Sequence, residues 1–278
     1  MPCARSMRRR PARRRPKLAR VILIVLAIGA FIYAALCLAL FLGQRSFLYY
    51  PHAKSAADDN TLTLNIDGER VLVTTLARPG SEAVIYFGGN AEDVSHSLPT
   101  LADAFPDRSL YAMNYRGYGG SSGKPSESAL IADALALFDR VHADHPHIVV
   151  IGRSLGSGVA VHIAGMRPLE RLVLVTPYDS LADIAAIHFP YFPVRWLLLD
   201  KFESWRYAPK VTAPTKLIAA QNDEIIPLAS TESLYKRLPQ SLATLTVIKG
   251  VGHNNISDSP EYVRLLAENR DFMHDCRT

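Results

Sequence analysis

The sequence predicts an α/β protein with a mostly parallel sheet and helices on both faces. Two observations lead to this class. Short apolar segments rich in β-branched residues alternate along the chain with longer segments that carry apolar residues at helical spacing. One of these alternations, the segment 147–158 (HIVVIGRSLGSG), places a G-x-S-x-G motif between a strand and a helix. That context is typical of a nucleophile elbow, a sharp turn that presents a reactive side chain.

The elbow segment contains a strand, a turn and a helix in that order. Residues 148–151 are too few and too β-branched for a typical helix and predict a buried strand, and residues 159–166 predict a helix. Side chains at Gly152 and Gly156 would collide with neighbouring backbone in such a turn. The turn would lift the Ser154 hydroxyl above the sheet and aim the helix N-terminus at a developing oxyanion. The alternative, a chance match in a glycine-containing loop, does not explain the flanking strand and helix.

The other elements continue the alternation. Two alternating strands, joined by a turn at Asp67-Gly68, predict a hairpin over residues 62–77. Further strands are predicted over 83–87, 110–114, 172–176, 215–220 and 244–248, and helices over 94–105, 127–143 and 261–273. One connection, 180–208, is unusually long and contains paired aromatics and prolines, which predicts a small helical cap insertion; insertions of this length are typically lids or binding loops. A plain packed helical hairpin is the alternative for this segment.

The N-terminal region has the pattern of a membrane anchor. Nine basic and no acidic residues lie in a basic tail over 1–20, and residues 21–44 carry no charge. As a helix the uncharged segment would be about 36 Å long, enough to cross a hydrocarbon core of roughly 30 Å. It also exceeds the usual apolar region of a signal peptide. The positive-inside rule predicts a cytoplasmic tail, a transmembrane helix and a domain over 51–278 on the non-cytoplasmic side.

Charge and composition exclude some other classes. Nine of the 31 lysines and arginines lie in the tail, which leaves 22 basic against 26 acidic residues and a net charge of −4 for the remainder. This domain has no positive excess, so no nucleic-acid partner is expected. Cys3, Cys37 and Cys276 offer no evident disulfide framework. No metal-ligand cluster or dinucleotide-binding loop is evident in the sequence, so neither a cofactor nor a metal is expected.

A serine nucleophile needs a general base, and the base needs a carboxylate that orients it. Around a nucleophile elbow these partners follow in the order serine, acid, histidine, each on a loop after a strand. His253 follows the last predicted strand directly, whereas His188 lies in the insertion and His274 near the C-terminus. The acid is expected after the preceding strand, where Asp223 is the first choice and Glu224 the second. A helix cap is the alternative role for Asp223.

The oxyanion hole of such a site takes two main-chain N–H donors. One belongs to the residue after the nucleophile, Leu155. The second comes from the loop after an early strand, where Asn90 is the first choice and Gly89 the next. In the resulting mechanism, Ser154 attacks a carbonyl with His253 as the base, and water then hydrolyses the acyl-enzyme.

Seven motifs carry a resemblance to a known family. They are QRSFLYYP (44–51), FGGNAED (87–93), NYRGYGGSSGKPSE (114–127), GRSLGSGVA (152–160), TPYDSL (176–181), NDEIIP (222–227) and GVGHNNI (250–256). On these motifs the chain resembles the α/β-hydrolases, and within them small membrane-anchored serine hydrolases of the serine aminopeptidase-like or α/β-hydrolase-domain type. The resemblance implies an α/β-hydrolase fold and a triad of Ser154, Asp223 and His253. The family commonly has histidine-glycine where this chain has Gly88-Gly89.

The resemblance implies a hydrolase without choosing its substrate, because the family includes esterases, thioesterases that deacylate lipidated proteins, lysophospholipases and peptidases. The leading expectation is a membrane-anchored serine hydrolase that acts on an ester, thioester or lipid acyl bond of a small-molecule or lipid substrate. A serine peptidase of the aminopeptidase type is the first alternative, and it requires a charged pocket for a free amine. A catalytically silent scaffold is the second alternative, and the presence of all three triad residues argues against it.

Overall fold

The computed structural model describes residues 15–52 and 60–268. Within it the chain forms two compact units, one that ends at Gln44 and one that begins at Arg45. The first unit holds most of a long helix, α1 (Arg15–Leu48), whose last turn belongs to the second unit. Among the described residues, Lys17–Leu48 is the one helix long and apolar enough to cross a membrane. Membrane anchors and N-terminal signal sequences share this property.

The second unit is built around one eight-stranded sheet. Its strand order is β1-β2-β4-β3-β5-β6-β7-β8. The strands are β1 (Thr61–Ile66), β2 (Glu69–Leu76), β3 (Glu82–Phe87), β4 (Ser109–Met113), β5 (His147–Arg153), β6 (Arg171–Val175), β7 (Thr215–Ala220) and β8 (Ala243–Ile248). The β1–β2 and β2–β4 pairs are antiparallel and all other pairs are parallel. The sheet is therefore mostly parallel, as the sequence predicts.

Helices cover both faces of this sheet. They are α2 (Leu98–Ala104), α3 (Glu127–His142), α4 (Leu155–Ala164), α5 (Leu181–His188), α6 (Val194–Leu197), α7 (Leu228–Arg237) and α8 (Pro260–Ala267). Alternate residues of β5 enter two separate apolar cores: Val150 packs with α3 and α4, and Ile151 packs with α2 and α8. Central strands with two buried faces are typical of parallel sheets.

The observed bounds of several helices differ from the predicted ones, and two of these differences have a clear physical reason. The helix predicted over 94–105 is a 3₁₀ turn (Val94–Ser97) followed by α2, because the Asp93 side chain caps the turn and Pro99 has no N–H to continue it. The helix predicted from residue 159 begins at Leu155, since the buried glycines that argue against a helix by propensity are accommodated by close packing. The predicted C-terminal helix begins at Pro260, and its residues 269–273 lie outside the described part of the chain.

The parallel strands bring separate loops to one edge of the sheet. The segments after β3, β5, β7 and β8 contain residues 88–92, 154, 221–227 and 249–255. Because the carboxyl ends of parallel strands lie side by side, these four loops meet there. The long connection after β6 contains α5, α6 and two 3₁₀ turns, and its Tyr191 and Trp196 are 85% and 86% exposed.

Candidate active site

The turn after β5 has the strained geometry expected of a nucleophile elbow. Ser154 has φ 50° and ψ −118°, a conformation that non-glycine residues rarely adopt. Its N–H donates to the Val175 carbonyl at 2.9 Å, and its own carbonyl accepts the Ser157 hydroxyl at 2.7 Å. The first bond ties the serine backbone to the end of β6, and the second ties it to the first turn of α4.

Two glycines allow α4 to approach the sheet closely enough to form this turn. A Cβ at Gly156 would overlap the carbonyl of Phe87, and a Cβ at Gly152 would overlap the carbonyl of Gly156. The Gly156 N–H instead donates to the Gly88 carbonyl at 3.1 Å. The glycine positions of the motif thus remove side chains where backbone meets backbone.

The three residues expected to form a triad lie in one line of contacts. The Oγ of Ser154 is 2.9 Å from Nε2 of His253. The Nδ1 of His253 is 2.8 Å and 3.0 Å from the two carboxylate oxygens of Asp223. An ionised carboxylate is an acceptor only, so Nδ1 carries the proton and Nε2 is left to accept the serine hydroxyl. Both the histidine and the aspartate side chains are buried.

The structure also separates the alternatives that the sequence leaves open. The first-choice acid, Asp223, contacts the imidazole and accepts the N–H groups of Ile225 and Ile226, whereas the Glu224 carboxylate accepts the main-chain N–H of His253 at 3.3 Å. His188 is exposed, and its Nε2 lies 3.2 Å from the Ile225 carbonyl. His274 lies outside the described residues.

Two free main-chain N–H groups line the cavity beside the serine. Within residues 15–52 and 60–268, the N–H groups of Leu155 and Asn90 have no acceptor. The N–H of Gly89, the second choice for the loop donor, is already donated to the Glu92 carboxylate at 2.8 Å. The pair that remains available for an oxyanion is therefore Leu155 and Asn90.

Asn90 is held in place by its other polar groups. Its carbonyl accepts the Tyr118 hydroxyl at 2.7 Å and the Tyr50 N–H at 3.3 Å, and its side-chain amide donates to the Leu48 carbonyl at 3.1 Å. These three bonds hold the Asn90 residue in place and leave its N–H unused. The sequence alone does not identify these partners, because they lie 28 to 42 residues away along the chain.

Gly88 lies where a side chain has little room. A Cβ on Gly88 would lie 2.7 Å from Cγ1 of Val94. The Gly88 carbonyl accepts the buried Tyr115 hydroxyl at 2.8 Å, which fixes the loop from the other side. The loop therefore keeps its position with no side chain at residue 88.

The serine opens into a mostly apolar cavity of about 320 Å³. Its apolar lining residues are Leu48, Ala91, Leu155, Tyr178, Leu181, Ile184, Ile225 and Ile226. The two charged side chains that line the cavity are Glu92 and Arg153. A pocket of this composition suits an uncharged acyl or alkyl group.

Glu92 and Arg153 are not predicted from the sequence as site residues, although both lie inside motifs that carry the family resemblance. Arg153 precedes the nucleophile, and its Nη1 is 3.6 Å from Oε2 of Glu92. Burial alone lowers the pKa of Arg153, but the interaction with Glu92, followed by those with Tyr86 and Tyr262, raises it above the ordinary value. Burial also raises the pKa of Tyr86, whose hydroxyl donates to Glu92 at 2.6 Å, well above its ordinary value. The available signal was the position of these two charged residues: Glu92 lies two residues after Asn90, and Arg153 lies directly before Ser154.

The fold and this site together define an α/β-hydrolase, and comparison with known proteins agrees. The family model for serine aminopeptidase, S33, matches residues 81–207. A Mycobacterium tuberculosis protein of uncharacterised function is 34% identical over 248 residues, which cover 83% of this chain and 88% of that one. α/β-Hydrolase domain-containing protein 17C of Xenopus tropicalis is 30% identical over 201 residues, 68% of this chain and 62% of that protein. The chain belongs to the α/β-hydrolase family and is a hydrolase.

Solved structures share the fold at low sequence identity. The Pyrococcus furiosus esterase Pf2001 has a TM-score of 0.64 at 18% identity, over 78% of this chain and 96% of that one. Est1E of Butyrivibrio proteoclasticus, solved with ferulic acid, has a TM-score of 0.63 at 15% identity, over 74% and 96% of the two chains. Likeness at this level of identity establishes the fold and leaves the substrate open.

Proposed function

We propose that this protein is a serine hydrolase that cleaves an ester, thioester or lipid acyl bond through Ser154, His253 and Asp223. The observation that carries the proposal is the series of contacts from Ser154 Oγ to His253 to Asp223. Ser154 lines an apolar cavity, beside two free N–H donors. A nucleophile, a base, an orienting acid and an oxyanion hole are the parts that acyl transfer requires.

In the proposed mechanism, His253 Nε2 takes the hydroxyl proton as Ser154 Oγ bonds to the substrate carbonyl carbon. The oxyanion that forms accepts hydrogen bonds from Leu155 and Asn90. The imidazolium gives its proton to the leaving group as the carbonyl re-forms, which leaves an acyl-enzyme. Water then attacks this ester with His253 again as the base, releases the acid and restores the serine. Asp223 holds the proton-bearing Nδ1 throughout and stabilises the imidazolium.

The charges around the cavity favour an acyl substrate over a free aminoacyl group. An aminopeptidase needs an available carboxylate near the nucleophile for the substrate ammonium. Of the carboxylates near this serine, Asp223 is engaged by His253, and Glu92 already accepts bonds from a main-chain N–H and two hydroxyls and faces Arg153. An ammonium group would have to displace one of these partners, which costs desolvation free energy.

A catalytically silent scaffold is less compatible with the backbone at the elbow. The Ser154 backbone conformation is strained by roughly 1–3 kcal/mol, an amount that persists where the surroundings enforce it. A protein that uses the fold only for binding gains nothing from this strain. The contacts of His253 with Ser154 and Asp223 also favour a catalytic protein over a scaffold.

A substrate panel tests the proposed chemistry. The purified protein would be assayed with p-nitrophenyl butyrate, a butyryl thioester and leucine p-nitroanilide, with Ser154→Ala as the control. We expect kcat/KM for the ester or the thioester to exceed that for the anilide by at least about 100-fold, because the cavity has no free carboxylate for the amine. Preferential cleavage of the anilide would favour the serine aminopeptidase alternative, and no turnover of any of the three would favour the scaffold.

We further propose that residues 21–44 anchor the protein in a membrane, with the basic tail in the cytoplasm and the hydrolase domain on the other side. The length and apolar character of Lys17–Leu48 and the arginines before it support this topology. The test is extraction of membranes with alkaline carbonate, followed by intact-mass measurement. Full-length protein in the membrane pellet is expected. A shortened, soluble protein would identify the segment as a cleaved signal sequence.

A further inference from the structure

The structure assigns Glu92 and Arg153 a positioning role: we propose that this ion pair holds the oxyanion loop and the histidine loop against the nucleophile elbow. Neither residue contacts the reacting atoms in the proposed mechanism, so both act through their neighbours. This inference rests on the proposed acyl-transfer function of Ser154.

Glu92 fixes the oxyanion loop from within. Its Oε2 accepts the N–H of Gly89 at 2.8 Å, which is the residue directly before the proposed donor Asn90. Its Oε1 accepts the Tyr86 hydroxyl at 2.6 Å and the Ser97 hydroxyl at 2.5 Å. The carboxylate therefore ties the loop to the end of β3 and to the following 3₁₀ turn, and it determines where the next peptide N–H points.

Arg153 reaches from the elbow to both other loops. Its Nη1 lies 3.6 Å from Glu92 Oε2, and its Nη2 lies 3.5 Å from the carbonyl oxygens of His253 and Asn254. At these distances the contacts are charge–charge and charge–dipole interactions rather than short hydrogen bonds. Arg153 directly precedes Ser154 in the chain. Its guanidinium therefore holds both the oxyanion loop and the histidine loop at a fixed position relative to the nucleophile.

The pair also balances charge beside the oxyanion hole. Both side chains are largely buried, with 17% of Arg153 and 13% of Glu92 exposed. An unpaired carboxylate at this depth, next to the loop that receives a developing oxyanion, would repel that charge in the transition state. Loss of the arginine is therefore more damaging than loss of the carboxylate, and removal of both charges restores part of the lost rate.

A double-mutant cycle tests whether removal of the Glu92 charge partly restores the rate lost with the Arg153 charge. Glu92→Gln, Arg153→Gln and the double variant would be compared with the wild type for kcat, KM and inhibition by a trifluoromethyl ketone, whose hemiketal oxyanion mimics the tetrahedral intermediate. We expect kcat to fall about tenfold in E92Q and about 100-fold in R153Q, with KM changed less than about threefold. The double variant should be more active than R153Q, and the inhibitor Ki should rise as kcat falls.

The control is Asp93→Asn, which alters the neighbouring carboxylate that caps the 3₁₀ turn and leaves Glu92 intact. It should keep kcat within about twofold of the wild type. If E92Q does not fold, Tyr86→Phe takes its place: it removes one hydrogen-bond donor from Glu92 and should also lower kcat. Wild-type kcat and Ki in folded E92Q, or a double variant as impaired as the product of the single effects, would overturn the positioning role. A wild type without hydrolytic activity would instead overturn the proposed function.

Discussion

At the scale of single residues, Asp223 and Glu224 show how two adjacent carboxylates acquire different tasks. Asp223 accepts the imidazole N–H of His253 and two main-chain N–H groups from the turn that follows it. Among the described residues, the group that donates to the Glu224 carboxylate is the main-chain N–H of His253. In the proposed mechanism Asp223 therefore fixes the histidine tautomer, whereas Glu224 holds the main chain of the histidine loop.

This difference predicts unequal effects of removing the two charges. Asp223→Asn should lower kcat/KM by roughly 10³–10⁴-fold, because an amide no longer favours the tautomer with a proton on Nδ1. Glu224→Gln retains an acceptor oxygen for the loop N–H and should leave kcat/KM close to that of the wild type. Steady-state hydrolysis of a p-nitrophenyl ester measures both. Equal losses in the two variants would contradict the assignment of Asp223.

His162 provides a prediction for the pH dependence of stability. Its ring stacks on Tyr207 with a centroid distance of 3.8 Å, and burial, with a smaller contribution from Lys210, lowers its pKa to about 4. In the unfolded chain a histidine has a pKa near 6.5. Between these two pH values the unfolded state binds a proton that the folded state does not, so stability falls as the pH falls from about 6.5 to about 4.

The comparison of wild type with His162→Phe isolates this contribution. The phenylalanine keeps the stacked ring but does not titrate. We expect the wild type to lose about 1–2 kcal/mol more unfolding free energy than H162F over this pH window, after allowance for the partial exposure of the ring. Urea unfolding at several pH values measures the difference. Parallel pH profiles for the two proteins would show that His162 titrates normally in the folded state.

At the scale of secondary structure elements, helix α3 is attached to the loop after β4 by a buried ion pair. Asp133 on α3 is fully buried and accepts two bonds from the Arg116 guanidinium, at 2.7 Å and 2.9 Å. A second pair on the same helix, Asp139 with Arg167, is partly exposed, with 54% and 32% of the two side chains accessible. The two pairs have the same chemistry but differ in burial, and this makes them a matched comparison.

Asp133→Asn should lower the free energy of unfolding by about 3 kcal/mol, because it removes the buried partner of Arg116 and leaves that guanidinium beside the exposed carboxylate of Asp67, 3.6 Å away. The matched variant Asp139→Asn should cost less than about 1 kcal/mol, since water screens and replaces the exposed partner. Urea denaturation at neutral pH measures both. A loss in D139N as large as that in D133N would contradict the dependence on burial.

Element boundaries also show which interactions the sequence reveals. The strand β7 is predicted at its observed bounds, Thr215–Ala220, because a short apolar strand between turns has a clear local pattern. The start of α4 is misplaced by four residues, since Gly156 and Gly158 are poor helix formers whose place in the helix is determined by contacts with β3 and the insertion. The local sequence pattern is therefore sufficient to place β7 and insufficient to place the start of α4.

At the scale of the whole molecule, the parallel sheet explains why the site could be anticipated from the sequence. Ser154, Asp223 and His253 each follow a strand, and neighbouring parallel strands deliver their following loops to one edge. The chain order of serine, acid and histidine was therefore enough to select three residues that the structure brings within hydrogen-bonding distance.

Other parts of the site depend on contacts between distant segments and have no local signature. The choice between Gly89 and Asn90 as a donor depends on the carboxylate of Glu92, which occupies the Gly89 N–H. The contribution of Leu48 to the cavity wall depends on the hydrogen bonds that residues 48 and 50 make with Asn90. Such relations follow from packing in three dimensions, so the sequence identified the residue types and their order but not these partners.

Covalent labelling by a fluorophosphonate tests whether Ser154 is an activated nucleophile. The full-length protein in detergent would be labelled beside Ser154→Ala and His253→Gln, and the modified peptide would be identified by mass spectrometry. We expect one adduct on Ser154 in the wild type, none in S154A, and labelling slowed by at least about 100-fold in H253Q. A folded wild-type protein that takes no label, or takes it at another residue, would show that Ser154 is not the activated nucleophile.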